Sequence, residues 1–184
     1  MKQLAFSFLL LTPLLPAVPA QAAGDPAAAV NDFYAVYKDQ HAQGGIPDAT
    51  VRLRYTPVLS PRLNKQLADA AAAQARLTAK VRNVPPMIEG DIFSSLFEGA
   101  SSWKVGACQG DAKTAHCTVA LSYVPPSAQS AKPPKPANWN DTVLVANTPQ
   151  GWKVDDVAYD AGFPFGNTGH LSDMLQMVVA ANPK

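Results

Sequence analysis

The run Gly151-Trp152-Lys153-Val154-Asp155-Asp156-Val157-Ala158-Tyr159 has the two-residue period of a β-strand. In strict alternation Trp152, Val154, Asp156 and Ala158 share one face, and Lys153, Asp155, Val157 and Tyr159 share the other. Thr148-Pro149-Gln150-Gly151 is a turn signal, and residues 142–147 supply the other arm of a hairpin. Further upstream, residues 101–108 and 115–124 alternate in the same way around Gly110-Asp111, a second hairpin. The stretch between the hairpins, 125–136, is rich in Pro, Ser, Ala and Lys; it cannot be a central strand and reads as an exposed extended loop.

Before Gly99 the period is helical. Asp25 and Pro26 suit an N-cap and first helical position, and Val30, Phe33, Tyr34, Tyr37 and His41 follow at steps of three and four. Gly44-Gly45 end this helix, and a segment containing Pro47 and Pro57 leads to Ser60-Pro61, a second cap-and-proline start. Leu63, Leu67, Ala70, Leu77 and Val81 form its expected buried stripe, and Pro85-Pro86 stop it. Residues 88–97 read as an irregular or helical connection burying Ile92, Phe93, Leu96 and Phe97. Leu171, Met174, Leu175, Val178 and Val179 close the chain as a short amphipathic helix capped by Asn167 or Thr168. The expected fold class is therefore α+β, with N-terminal helices packed on a curved antiparallel sheet of about four strands.

Residues 1–22 carry the pattern of a secretory signal peptide: Lys2, an apolar run from 4 to 15, and the small-residue motif Ala20-Gln21-Ala22. The run is too short for a stable membrane anchor. Residues 23–184 are expected to be a single domain, periplasmic or secreted. With Lys2 removed, Lys and Arg balance Asp and Glu, so net charge offers no argument for nucleic acid. Charge is uneven, however: between 52 and 82 seven basic residues face only Asp69, whereas from 139 onward Asp141, Asp155, Asp156, Asp160 and Asp173 outnumber Lys153 and Lys184. The two regions either attract each other within the fold or offer a docking surface to an acidic partner.

Cys108 and Cys117, with eight residues between them and a turn in the middle, are expected to staple the first hairpin as a disulfide. Strict alternation places Cys117 with Val119, Leu121 and Tyr123 but Cys108 with Ser102 and Lys104; a bulge at Gly106 would reset it. A metal site from Cys108, His116 and Cys117 with His41 or His170 is opposed by the adjacency of His116 and Cys117, which point to opposite faces of a strand. No metal and no cofactor is expected.

Asp32-Phe33-Tyr34-Ala35-Val36-Tyr37, Leu59-Ser60-Pro61-Arg62-Leu63, Gly90-Asp91-Ile92-Phe93 and above all the strand 151–159 resemble a DUF3828-like family of small bacterial exported domains, itself similar to the NTF2-like, cystatin-like cone fold. The resemblance implies a sheet wrapped round the first helix and a concave pocket; it implies no reaction. The proline-rich 125–136 stretch departs from the family pattern.

Asp156, on the more apolar face of its strand, must find a partner, titrate upward or open onto a pocket. It either bonds backbone or an Arg of the basic segment and fixes the sheet against a helix, or it handles a ligand or proton. Asp91, between Gly90 and Ile92, caps a turn or serves a site. With Tyr34, Tyr55, Trp103 and Tyr123, aromatics that pack the core or line a cone mouth, these are the pocket candidates. No nucleophile elbow, zinc-protease motif, phosphate loop or dinucleotide fingerprint is present. The leading expectation is a non-enzymatic binding domain for an unidentified small molecule or peptide segment. The alternatives are an inhibitor or immunity-type protein that engages a partner protein through an exposed loop, and a small cone-fold hydrolase or isomerase.

Overall fold

A computed structural model describes residues 24–40, 44–81, 83, 85–126 and 135–181. The expected leader, His41 and most of the proline-rich loop lie outside those residues. Helix α1 (Pro26–Gln40) begins as anticipated, the Asp25 carboxylate accepting from Ala27 N–H at 2.9 Å. Helix α3 (Pro61–Lys80) is capped by Ser60, whose hydroxyl accepts from Leu63 N–H at 3.0 Å. Its buried stripe ends at Ala73: Leu77 is half-buried and Val81 exposed, because the last two turns run past the core.

The segment expected to link these helices contains another, α2 (Ala49–Tyr55). Asp48 is its N-cap, accepting from Val51 N–H at 2.9 Å, and Val51 and Tyr55, four apart, are its buried positions. Residues 88–97 form turns, burying Ile92 and Phe93 while Phe97 stays exposed.

The sheet is antiparallel with strands in chain order: β1 (Ser102–Gly110), β2 (Thr114–Tyr123), β3 (Ala137–Thr148), β4 (Gly151–Tyr159) and β5 (Gly169–His170). The two hairpins are those anticipated, but β3 starts five residues earlier than the periodicity suggests, bringing Trp139 and Asp141 into the sheet. The Cys108–Cys117 disulfide joins directly opposed residues, and the register slips one residue between Val105 and Cys108, the bulge expected at Gly106.

A second bulge overturns the strict alternation of β4. Val145 pairs with Val154 but the next residue, Leu144, pairs with Asp156, so Asp155 is the extra residue. Beyond it the faces exchange: Val157 and Tyr159 continue the buried face of Trp152 and Val154, while Asp156 and Ala158 pass to the other.

Helix α1 lies across the inner face and touches all four long strands. Its Phe33, Tyr34 and Tyr37 are fully buried and meet Tyr55 and Phe93 in an aromatic cluster with ring centroids 4.9–6.4 Å apart. The concave face is thus filled by side chains of its own helix. Helix α4 (Leu171–Ala181) packs on α3 and on the β4 edge through Leu171, Leu175 and Val178. No helix among the described residues is long and apolar enough to cross a membrane.

Candidate functional site

Gly44 and Gly45 follow α1 with φ of 58° and 66°, a region that side chains avoid. A Cβ on Gly44 would collide with the Glu89 carbonyl, and Gly45 N–H donates to Gly90 O at 2.7 Å. This close passage holds the 44–48 segment against the 88–91 turn. Between them and α2 remains a cavity of about 140 Å³ that opens to solvent. Tyr55, Phe93, Asp48 and Asp91 are among its walls, and no Lys or Arg is among its described lining residues.

Asp91 is buried by an Asx turn of its own making, its carboxylate accepting from Phe93 N–H at 2.8 Å. Tyr37 and Ser94 also hydrogen-bond it. Tyr37 in turn accepts from Ala100 N–H at 2.7 Å. No Lys, Arg or His among the described residues lies within ion-pair distance of Asp91 or Asp48. Burial pushes the Asp91 carboxyl up to about 7, only partly opposed by the Phe93, Tyr37 and Ser94 bonds. Burial also raises Tyr55 above the ordinary phenol range, with the Asp91 charge as a second cause. Tyr55 is 1% exposed; its hydroxyl makes no hydrogen bond to a described residue and, unlike that of Tyr34, is not sealed from solvent.

Of the six residues nominated from sequence, Tyr55 and Asp91 meet at this cavity. The other four stand elsewhere. Tyr34 is sealed in the core, stacked on Trp103 at 5.6 Å, its hydroxyl without a partner among the described residues. Trp103 donates to Asn31 Oδ1 at 3.1 Å and borders a shallow open depression with Lys104 and Trp139. Tyr123 lies half-buried at the end of β2. Asp156 is at the start of α4, which neither Asn167 nor Thr168 caps: its carboxylate accepts from Ser172 N–H at 3.0 Å and Ser172 Oγ at 2.5 Å. Arg62 stands 3.8 Å away and bonds Asp155 at 2.7 Å, so the basic and acidic regions do meet. A negative charge at a helix N-terminus is favourable, and here it joins β4, α3 and α4.

Two further acids escape a reading of the sequence. Asp48 is visible there as a cap before Val51 and Tyr55 only once residues 49–55 are read as helical. Asp141 is fully buried, accepting from Ser95 N–H at 2.8 Å, from Ser95 Oγ and from Trp139 Nε1 at 3.0 Å; the early start of β3 is what conceals it. Among the described residues no group of three or more His, Cys, Asp or Glu is placed to hold a metal ion. No protein family, curated protein or solved structure matches this chain.

Proposed function

We propose that this protein is an exported, non-enzymatic binding domain whose site is the Tyr55–Asp91 cavity and whose ligand is a small amphipathic molecule. One observation carries the reading: Tyr55, whose hydroxyl makes no hydrogen bond to a described residue, and the buried Asp91 line the same cavity, beside Val51 and Phe93. Its volume suits a benzene-sized ligand, for which a cavity of roughly 150 Å³ suffices. Export draws support from the leader-like residues 1–22 and from the disulfide, which an oxidising compartment maintains. The DUF3828-like, cone-fold kinship belongs to the same proposal, supported by a helix laid across a curved antiparallel sheet.

The test is a fragment library screened by thermal shift and by amide NMR against the mature chain and against Val51→Phe, which fills the cavity. Fragments should perturb residues 44–55 and 91–93 in the first protein and not in the second. Binding that survives Val51→Phe, or a library without a single hit, refutes the assignment.

A specific feature favours a second reading, recognition of a partner protein. In the turn Phe163-Pro164-Phe165-Gly166, closed by Gly166 N–H to Phe163 O at 3.1 Å, Phe165 is 97% exposed at φ 63°. Type II turns reserve that place for glycine, so an exposed aromatic there costs folding energy without packing in return. The turn is held firmly by Phe163 against Trp139 and by Asn167 donating to Asp91 O and Ser94 O. Under this reading Phe165→Gly stabilises the fold and abolishes co-purification of the partner; a partner retained by the variant excludes this tip as the contact.

A further inference from the structure

We propose that the cavity selects a compact organic ammonium ion over neutral and anionic molecules of the same shape. This rests on the cavity being the binding site and adds the charge class of the occupant. Two aspartates line the space, Asp91 from the 90–93 turn and Asp48 from the start of α2. Neither has a cationic partner among the described residues. A buried carboxylate without a counter-ion is costly, and a bound cation removes that cost.

The remaining wall suits the rest of such a ligand. Tyr55 and Phe93, packed together with ring centroids 4.9 Å apart, line the cavity with aromatic carbon that suits the hydrocarbon part of such a ligand. The Tyr55 hydroxyl makes no hydrogen bond to a described residue, and an ammonium N–H is a donor that it can accept. Asp48 spends one oxygen on Val51 N–H, and as an exposed residue it can turn the other toward an arriving cation.

Among the described residues, the groups around Asp91 supply no competing positive charge. Tyr34 and Tyr37 of α1, Tyr55 of α2 and Tyr159 of β4 surround it, and burial raises all four phenols, which stay neutral at physiological pH. Asp48 and, farther off, Asp141 add negative charge. Because Asp91 holds a proton up to about pH 7, an ammonium that pairs with it must displace that proton. Affinity should therefore fall by up to about tenfold for each pH unit below 7.

The experiment is calorimetric titration of the mature chain with benzylammonium, benzyl alcohol and benzoate at pH 8 and pH 6. Benzylammonium should bind at least fivefold more tightly than benzyl alcohol at pH 8, lose affinity at pH 6, and leave benzoate weakest. Asp91→Asn should cut the preference at least threefold while benzyl alcohol still binds. Asp48→Asn, which keeps the helix cap because Asn caps as well as Asp, should reduce it and supplies the answer should Asp91→Asn not fold. A preference below fivefold, tighter benzoate, or a preference unchanged in the folded variants overturns the inference. If none of the three binds although library fragments enter the cavity, the ammonium reading falls and the binding-site reading stands; if fragments are excluded too, both fall.

Discussion

Replacing Asp91 by Asn should change how stability depends on pH, and the sign follows from burial. Asp91 holds its proton more tightly in the folded chain, at about 7, than in the unfolded chain, near the ordinary 3.8. Between those values the folded state binds more protons, so the Asp91 contribution is fully present below about pH 4. It is lost as pH rises and is flat again above about 7. The interval corresponds to about 4 kcal/mol. For a chain of this length that amounts to roughly 10 °C in melting temperature. Asn resembles the protonated carboxyl in shape and stays neutral throughout. Urea unfolding of both proteins from pH 4 to pH 8 should therefore show their stability difference moving by about 4 kcal/mol in favour of Asp91→Asn at high pH. Comparing the two proteins cancels the acids common to both. A difference constant to within about 1 kcal/mol would show that the carboxyl is solvated or paired, and the account of the cavity floor would fail.

Three further outcomes follow from the packing. Tyr34→Phe should be neutral or stabilising by up to about 1 kcal/mol in urea unfolding, since it removes a buried hydroxyl with no partner among the described residues; a loss above about 1 kcal/mol would reveal a bond to that group. Asp156→Ala should cost about 2–4 kcal/mol and speed hydrogen exchange first in α4, because Ser172 N–H and Oγ lose their acceptor; unchanged exchange in α4 would deny it the anchoring role. Reducing Cys108–Cys117 should lower stability by about 2–3 kcal/mol while circular dichroism keeps the folded spectrum; identical melting with and without reductant, the bond having first been verified, would count the staple as unimportant.

Half of the cavity's chemistry is legible in the residues themselves. Asp91 stands out because a carboxyl between Gly90 and Ile92 needs a local donor, and Tyr55 because an amphipathic phenol suits a cavity rim. Their meeting does not follow from sequence, since it depends on Gly44 and Gly45 turning the chain beneath the 88–90 carbonyls. Strict alternation puts Asp156 on the face of Trp152 and Val154. One extra residue, Asp155, moves it across the sheet to α4, where it anchors the helix as one of its two expected roles requires.

Local chemistry alone determined the helix starts at Pro26 and Pro61, the two hairpins, the cysteine staple and its bulge, and hence the α+β class. In each case the cause lies within a few residues of its effect: a cap accepting the first free N–H, a turn, or a period of two or of three to four. Only the tertiary structure decided which side of β4 bears Asp156, that β3 begins early enough to bury Asp141, and that the aromatic ridge of α1 fills the concave face. Those outcomes depend on register, where a single inserted residue exchanges the faces, and on packing between segments far apart in the chain.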